Sequence, residues 1–351
     1  MKILFTGGGT AGHVTPNIAL IEHFQQAGWD MVYVGSVSGI ERELITSVPY
    51  RAISSGKLRR YFAWQNFVDP FRILWGFLQS LLICLQERPQ VVFSKGGFVA
   101  VPIVFAAWCW RIPVICHESD VTPGLANRLC FPVVKKICIN FPETERYLKN
   151  AGKAIVTGTP VRSSLLHGSR QAACDAFGLS EDRATLLVFG GSLGATAINK
   201  MVRASLTKLL ASFQVVHVVG AGNLSDIDTP GYVQREFLFA EFGDVLALAD
   251  VVVARAGANS IYELLLSRKP HILIPLSSVA SRGDQLDNAK TFSAAGYSTM
   301  LEETEETDLV DLVLQVYQDR QAIVQKIEEF VVIDSVAVIA ELVSAAAERR
   351  T

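Results

Sequence analysis

Six short stretches of this sequence carry the residue types that bind phosphate groups or transfer protons. In the first, Gly7, Gly8 and Gly9 follow a short apolar run and precede a helical pattern that opens at Pro16. A strand, a glycine turn and a helix present backbone N–H groups and a helix N-terminus to an anion, commonly a phosphate. Glycine also lets the backbone approach a ligand without a Cβ in the way. This stretch therefore predicts a phosphate-binding turn.

The same glycines also satisfy a dinucleotide-binding pattern. Gly7, Gly9 and Gly12 fit G-x-G-x-x-G. That pattern requires an acidic residue about 20 residues on, at the end of the second strand, to bind a ribose hydroxyl. Here the second strand ends in Gly35 and Ser36. The missing acid argues against an NAD-binding function.

Two stretches offer candidates for proton transfer. His13 stands where the first glycine turn meets its helix, and a histidine there titrates near neutral pH; a capping role is the alternative. In HESDVTPG, Glu118 or Asp120 follows a strand and could act as a general base or bind a sugar hydroxyl. The same segment also fits a helix start, with Thr122 as the N-cap and Pro123 at the first helical position.

Two further glycine turns follow strand-like runs. The second is SKGGF, in which Lys95 adds a positive charge beside Gly96 and Gly97, and the third is GGSLG at residues 190–194. Three such turns at strand ends favour phosphate-rich ligands in both halves of the chain, whereas tight packing alone is the alternative explanation.

The second half holds two more polar stretches after strands. RAGANSIYE opens a helix with small residues, so its N-terminus can take a diphosphate, and Glu263 one turn later can hold both hydroxyls of a ribose. A solvated helix position is the alternative for Glu263. The run RGDQLDNA at residues 282–289 suits sugar hydroxyls. Asp226 and Asp228 lie in a turn-rich segment without a clear strand, and we do not expect them to bind a metal.

The elements that must position these residues alternate between strands and helices. Continuous apolar runs indicate strands buried on both faces, and therefore parallel sheets. The runs fall at residues 3–6, 31–35, 91–94, 113–116, 137–139, 155–157, 185–189, 215–219, 232–234, 251–253, 271–274 and 298–301. Helical patterns fall between them, for example at residues 16–28, 71–87 and 99–110. Ligands bind at the carboxyl ends of such strands, and we expect two doubly wound domains to share a cleft there.

Length and charge support a division into two parts. The 351 residues suggest two domains at about 150 residues each. Residues 1–162 carry 17 Lys and Arg against 10 Asp and Glu, a net +7, whereas residues 163–351 carry 15 against 24, a net −9. A basic half suits an anionic partner such as a membrane surface, a diphosphate or nucleic acid. No nucleic-acid-binding motif is present, so we expect no nucleic-acid partner.

Several features of the sequence indicate the cellular compartment of the protein and its relation to membranes. The six cysteines form no C-x-x-C motif and lie mostly in apolar runs, which indicates buried thiols in a reducing compartment. The N-terminus enters a strand directly, so we expect no signal peptide. The apolar stretches 73–85 and 98–110 are shorter than the roughly 18–20 residues of a membrane span. A basic and aromatic region at residues 57–78 suits the surface of an anionic membrane, although a loop and a buried helix explain it as well.

Seven motifs, taken in order along the chain, resemble the MurG family of peptidoglycan glycosyltransferases. They are GGGTAGHVTPN, SKGGFVAVP, HESDVTPGLAN, GTPVR, GGSLGA, ADVVVARAGANSIYE and SRGDQLDNA. The resemblance implies the GT-B fold, which is α/β with two doubly wound, parallel-sheet Rossmann-like domains facing a cleft. It implies an N-acetylglucosaminyltransferase that moves GlcNAc from UDP-GlcNAc to lipid I, the undecaprenyl-diphosphate-MurNAc-peptide, and forms lipid II with inversion.

The resemblance also implies domains and site residues. Residues 1–161, with a C-terminal helix at about 334–351, would form the acceptor and membrane-facing domain, and residues 162–333 the UDP-GlcNAc-binding domain. The implied catalytic residues are His13 and Asp120. The implied acceptor-diphosphate residues are Gly8, Gly9, Gly96 and Gly97. The implied UDP-GlcNAc residues are Thr10, Ala11, Gly12, Arg162, Ser192, Ala258, Glu263, Asp284 and Gln285. No cofactor or metal is implied.

Three departures from the usual family pattern point to a Gram-positive-like branch. Ala11 replaces a glycine, Asp120 replaces an asparagine, and RAGANS replaces a more usual RSGA-type stretch. A peripheral location on the cytoplasmic side of the cell membrane follows from the resemblance, with the cell-wall and division machinery as possible partners. The alternatives are another GT-B enzyme, such as a diacylglycerol glucosyltransferase or a UDP-GlcNAc 2-epimerase, and a non-catalytic UDP-GlcNAc-binding protein.

Overall fold

The computed structural model describes residues 1–56, 65–191, 194–277, 283–303 and 308–349, except for the side chains of residues 65–69 and 163. The chain divides into two compact units. Unit 1 comprises Met1–Val161 with Ile333–Thr351, and unit 2 comprises Arg162–Val332. Each unit contains its own sheet.

Unit 1 is built on a seven-stranded parallel sheet. Its strands are β1 Lys2–Thr6, β2 Asp30–Ser36, β3 Tyr50–Ile53, β4 Val91–Ser94, β5 Val114–Glu118, β6 Lys136–Ile139 and β7 Ala154–Val156. Their order across the sheet is β3-β2-β1-β4-β5-β6-β7. The central strands are fully buried because helices cover both faces of the sheet.

Five α-helices connect these strands. They are α1 Thr15–Gln26, α2 Ile40–Leu44, α3 Gln65–Glu87, α4 Ala100–Cys109 and α5 Leu125–Cys130, and short 3₁₀ turns lie at Ala11–His13, Pro142–Tyr147 and Ala151–Lys153. Within the described ranges, none of the helices combines the length and the hydropathy that crossing a bilayer requires.

Unit 2 repeats the plan with six parallel strands in the order β10-β9-β8-β11-β12-β13. The strands are β8 Thr185–Phe189, β9 Gln214–Val218, β10 Tyr232–Arg235, β11 Val251–Ala254, β12 His271–Leu273 and β13 Thr299–Met300. The helices are α6 Ser163–Leu166, α7 Arg170–Phe177, α8 Thr196–Leu210, α9 Phe242–Leu248, α10 Ala258–Leu266, α11 Asp284–Ala294, α12 Leu309–Gln318 and α13 Arg320–Glu328.

The last helix, α14 Ser335–Glu348, belongs to unit 1. Its side chains Ile339 and Val343 are fully buried in the same apolar cluster as Phe5 and Phe24 of the first βα unit. The C-terminal end of the chain therefore completes the N-terminal core.

Two doubly wound, parallel α/β sheets confirm the predicted fold class. The sequence patterns also placed twelve of the strands close to where they lie, but they missed β3 and α2. The helix predicted at residues 71–87 begins earlier, at Gln65, with Pro70 inside its first turns. The predicted cleft between the two domains stays a prediction.

Candidate functional site

The strand order of unit 1 reverses between β1 and β4, and such a switch point is where open α/β sheets bind ligands. The first glycine turn follows β1, and the second follows β4. They pack directly on each other: Gly97 has φ +82°, and a Cβ there would lie 2.2 Å from the carbonyl oxygen of Gly8. Only glycine fits this approach. The structure thus brings together the two turns that were predicted to hold the acceptor diphosphate.

A carboxylate that sequence reasoning missed fastens the first turn. Glu41 of α2 is fully buried and accepts hydrogen bonds from the Gly9 N–H at 3.1 Å, the Ser36 N–H at 2.9 Å and the Ser36 hydroxyl at 2.6 Å. Burial acts to raise the pKa of Glu41, but these hydrogen bonds outweigh it and the pKa falls below its usual value. Gly8, Gly35 and Gly39 leave room for the side chain. The Gly9 N–H is therefore engaged by Glu41.

Four predicted residues share the short turn that precedes α1. Thr10 leads into the 3₁₀ turn formed by Ala11, Gly12 and His13. The Nδ1 atom of His13 lies 2.9 Å from the Thr10 hydroxyl oxygen, and the Thr15 hydroxyl donates to the Ala11 carbonyl at 3.0 Å. The half-buried imidazole of His13 is thus oriented by its own turn.

The two acids at the end of β5 and in the loop that follows have different roles. Glu118 is buried, and its carboxylate accepts from the backbone N–H groups of Asp120 and Gly124 and from Asn127 Nδ2, each at 3.0 Å. These hydrogen bonds make Glu118 a structural residue of the loop. Between Glu118 and Asp120, only the half-buried Asp120 therefore remains a candidate general base. The predicted N-cap at Thr122 is wrong: α5 begins at Leu125, and Gly124 is its N-cap.

Lys95 lies beneath the paired turns. Its side chain is only 1% exposed, and its ammonium donates to the Ser119 hydroxyl. Burial lowers the pKa of Lys95 to about 8, although the carboxylates of Glu118 and Asp120 act in the opposite direction. His117, next to Glu118, is buried and lies 2.8 Å through Nε2 from the Gly158 carbonyl, and burial holds its pKa well below the usual value.

In unit 2 the strand order reverses between β8 and β11, and the third glycine turn follows β8. Gly191 and Gly194 have φ of +90° and +72°, and a Cβ on Gly194 would lie 2.2 Å from the Val219 carbonyl oxygen. The turn therefore requires glycine. The predicted donor residue Ser192 lies outside the described residues.

The turn on the other side of this switch point follows β11 and opens α10 at Ala258. Arg255, in this turn, is held by three contacts. Its guanidinium donates to the carbonyls of Ile274 at 3.0 Å and Pro275 at 3.2 Å, and pairs with Glu303 at 2.6 Å. These contacts tie the ends of neighbouring strands together, so Arg255 supports the N-terminus of α10.

Glu263 and Arg162, both predicted to bind UDP-GlcNAc, interact electrostatically within unit 2. Burial raises the pKa of Glu263 to about 7, and the Arg162 guanidinium acts to lower it. Glu263 is the sixth residue of α10 and is partly exposed. A carboxyl that changes its charge near neutral pH, on the helix whose N-terminus flanks the switch point, is a good candidate for a ligand group.

The last predicted pair begins α11. The Leu276 N–H donates to the Gln285 side-chain oxygen at 3.1 Å, which holds that amide against the segment that follows β12. Asp284 is the first residue of the helix and is half-buried. Arg282, in the same predicted stretch, lies outside the described residues. Across the part of the chain that is described, no group of three or more His, Cys, Asp or Glu side chains is placed to hold a metal ion.

Comparison with known families covers both units. Residues 3–139 match the glycosyltransferase family 28 N-terminal domain, and residues 185–343 match the glycosyltransferase family 28 C-terminal domain. The two matches fall on the two sheets described above.

Among known structures, MurG of Acinetobacter baumannii superposes with a TM-score of 0.74 at 22% identity, covering 98% of this chain and 99% of that one. The calicheamicin glycosyltransferase CalG4 gives 0.69 at 13% identity, covering 99% and 98%. The UDP-GlcNAc 2-epimerase of Neisseria meningitidis gives 0.66 at 13% identity, covering 97% and 99%. Similarities at this level of identity establish the fold, which is GT-B.

Relatives of higher sequence identity establish the family as well as the fold. A UDP-N-acetylglucosamine--N-acetylmuramyl-(pentapeptide) pyrophosphoryl-undecaprenol N-acetylglucosamine transferase of Legionella pneumophila (strain Lens) is 51% identical over 322 residues, 91% of this chain and 88% of the relative. The protein of that name from Lachnospira eligens is 48% identical over 348 residues, 97% and 98% of the two chains. The chain therefore belongs to the MurG family of N-acetylglucosamine transferases.

Proposed function

We propose that this protein transfers GlcNAc from UDP-GlcNAc to lipid I and so forms lipid II, the lipid-linked disaccharide precursor of peptidoglycan. The observation that carries the proposal is the similarity to transferases named for this reaction, which extends over 97% of the chain at 48% identity. The paired glycine turns of unit 1 and the two flanking turns of unit 2 supply anion sites for two diphosphate-containing substrates.

The reaction is an inverting displacement. The C4 hydroxyl oxygen of the acceptor sugar attacks the anomeric carbon of α-linked GlcNAc, the bond from that carbon to the UDP oxygen breaks, and a β-1,4 linkage forms. A base removes the hydroxyl proton. His13 and Asp120 are the two candidates, because each lies in a connecting segment that follows a strand of unit 1, β1 for His13 and β5 for Asp120.

The donor belongs to unit 2. Ser192 in the third glycine turn and the N-terminus of α10 at Ala258 stabilise the departing diphosphate. Glu263 holds the ribose hydroxyls, and Arg162 adds a positive charge beside it. Asp284 and Gln285 bind the sugar hydroxyls.

The acceptor diphosphate belongs to the turns of unit 1, at Gly8, Gly96 and Gly97. The Gly9 N–H donates to Glu41, so Gly9 contributes to this site by shaping the turn and not by donating to the diphosphate. No metal or cofactor is required in this mechanism, because helix N-termini and backbone N–H groups supply the positive charge. EDTA should leave the rate unchanged; a loss that Mg²⁺ restores would contradict this point.

The protein acts at the cytoplasmic face of the membrane, where α3 and α4 provide the contact. Eight large apolar side chains on and after these helices are exposed: Phe71, Leu74, Trp75, Leu78, Leu82, Leu85, Trp108 and Trp110. We call this set the apolar face. The Trp110 indole donates to the Leu81 carbonyl at 3.1 Å, which joins its two halves. The predicted basic residues Lys57, Arg59 and Arg60 lie outside the described residues.

Cations border this face. Trp108 also lines a cavity of about 380 Å³ together with Arg111, Lys135 and Arg349. Aromatic side chains beside Lys and Arg are typical of surfaces that contact anionic lipids. The cell-wall and division machinery would meet the protein at the same membrane.

Product analysis tests the proposed function. The protein is incubated with UDP-GlcNAc and a short-chain lipid I analogue, and the product is identified by mass and by the configuration of the new linkage. A β-linked disaccharide supports the proposal. UDP-N-acetylmannosamine formed without acceptor would identify an epimerase instead. A glucosylated diacylglycerol, formed in a parallel incubation with UDP-glucose and diacylglycerol, would identify the other GT-B alternative. Binding of UDP-GlcNAc with no product at all would indicate a non-catalytic binding protein.

A further inference from the structure

Lys95 is a lysine buried where two phosphate-binding turns meet. Its backbone N–H donates to the Thr6 carbonyl at 2.9 Å, and a Cβ on Gly7 would lie 3.1 Å from the Lys95 Cβ. The side chain therefore runs directly beneath the first turn, while Gly96 and Gly97 continue into the second. Its ammonium donates to the Ser119 hydroxyl. Burying an amine is costly, so its presence under these turns calls for an explanation.

The groups around the ammonium leave it a cation at neutral pH. Burial lowers the pKa of Lys95 to about 8, and Glu118 and Asp120 raise it, as do the thiols of Cys116 and Cys138 to a smaller extent. The thiols themselves stay neutral, since burial raises their pKa values well above the usual range.

The remaining titratable neighbours are an uncharged histidine and two carboxylates that have hydrogen-bond partners of their own. His117 is held uncharged by burial and by Lys95 itself. The Glu118 carboxylate attracts the ammonium, and it also accepts hydrogen bonds from the backbone N–H groups of Asp120 and Gly124 and from Asn127 of α5. Glu41 lies on the other side of the first glycine turn, where its carboxylate is bonded to Ser36 and Gly9.

We propose that Lys95 is the positioning residue of the acceptor site: its ammonium holds the Ser119 hydroxyl, and with it the loop that carries Asp120, and it supplies the positive charge beneath the glycine turns that an acceptor diphosphate requires. This inference rests on the proposed function. It adds a charged side chain to a site whose other predicted diphosphate ligands are backbone N–H groups. Because the surroundings are water-poor, the charge acts on a bound anion with little screening.

The first test separates acceptor binding from donor binding. Lys95→Met keeps an unbranched side chain without the charge. It should raise the KM for a lipid I analogue at least tenfold, while the Kd for UDP-GlcNAc changes less than twofold. Lys269→Met is the matched control, because Lys269 is also largely buried, with a pKa of about 8, and donates to the Ala247 and Ala249 carbonyls at 2.9 Å. This control should leave the acceptor KM unchanged, whatever its effect on Tm.

The second test begins with the pH profile of the unmodified protein. The kcat/KM for the acceptor reports the protonation state of the free enzyme. In the unmodified protein it should fall as pH rises from 7 to 9, since Lys95 loses its proton in this range. Lys95→Arg should remove the fall, because arginine stays charged.

Two results would overturn the inference alone: an unchanged acceptor KM in a folded Lys95→Met protein, or a flat pH profile in the unmodified protein. If Lys95→Met fails to fold, the pH profile still decides. Absence of any acceptor-dependent UDP release by the unmodified protein would overturn the proposed function, and this inference with it.

Discussion

At the scale of single residues, we expect Glu263 to make donor binding dependent on pH. Its pKa is raised to about 7, and the ionised form accepts both ribose hydroxyls better than the protonated form. Acidification therefore removes the binding form. We predict that the Kd for UDP-GlcNAc rises about tenfold from pH 8 to pH 6, as measured by calorimetry without acceptor.

Substitutions test whether Glu263, and not another acid of unit 2, causes the pH dependence of donor binding. Glu263→Gln should bind the donor weakly at every pH in this range, without the slope. Asp311→Asn, which changes an exposed acid of α12, should keep the slope of the unmodified protein. A slope that survives in Glu263→Gln would show that another group controls donor binding.

The choice between the two candidate bases is also a question of single residues. His13 is oriented by Thr10, whereas Asp120 is placed by the loop that Glu118 fastens. Removing a general base lowers kcat by roughly 10²–10⁴-fold. We expect this loss in either His13→Ala or Asp120→Asn, with the donor Kd unchanged. Unchanged turnover in both variants would exclude both residues as the base.

Residue types and spacing predicted part of this site and missed part of it. Glycine turns after apolar runs were recognisable, because a strand, a break and a helix leave a local pattern. Glu41 was not, since it meets Gly9 only after 32 residues of chain. The contact of Lys95 with Ser119 likewise depends on β4 and β5 being neighbours, which no local pattern specifies.

At the scale of elements, α2 controls the first glycine turn through Glu41. Glu41→Ala removes three hydrogen bonds to a buried carboxylate, each worth about 1.5–3 kcal/mol, so the free energy of unfolding should fall by roughly 4.5 kcal/mol or more. Because the turn loosens, the acceptor KM should rise as well. Chemical denaturation and steady-state kinetics measure the two effects.

The stability that Glu41 contributes should depend on pH in a defined direction. The folded-state pKa of Glu41 lies below its usual 4.5, so its contribution is complete above that value and is lost as pH falls through the folded-state pKa. The stability gap between the unmodified protein and Glu41→Ala should therefore narrow in acid. Glu43→Ala, an exposed acid of the same helix, is the control. An equal loss of stability in both variants would contradict the role of Glu41.

The elements that the sequence failed to predict have a common physical character. β3 is an edge strand with only Ile53 fully buried, so its apolar pattern is weak. α2 has five residues, too few for a 3.6-residue periodicity to show. Long, buried elements were predictable because burial on both faces leaves continuous apolar runs, as in β1 and β8.

At the scale of the whole molecule, the apolar face should govern attachment to membranes. Phe71 and Trp75 are 74% and 59% exposed on the same side of α3. Full burial of such side chains is worth about 1.5–3 kcal/mol each, so Phe71→Ser with Trp75→Ser should reduce partition onto anionic vesicles roughly tenfold or more in co-sedimentation.

A matched change elsewhere makes the membrane prediction specific. Phe239 of unit 2 is 65% exposed, so Phe239→Ser removes a comparable aromatic side chain from the other unit. Vesicle binding should be unaffected by this change. If the Phe71→Ser, Trp75→Ser double variant and the Phe239→Ser variant partition equally onto vesicles, the apolar face is not the membrane contact.

The release of UDP from UDP-GlcNAc, measured with and without a lipid I analogue, tests the central claim most directly. An inverting transferase without a covalent intermediate releases UDP only as the acceptor hydroxyl attacks. We predict release at a rate that rises with acceptor concentration and is close to zero in its absence. Release that does not respond to the acceptor, or no release although UDP-GlcNAc is bound, would contradict the account.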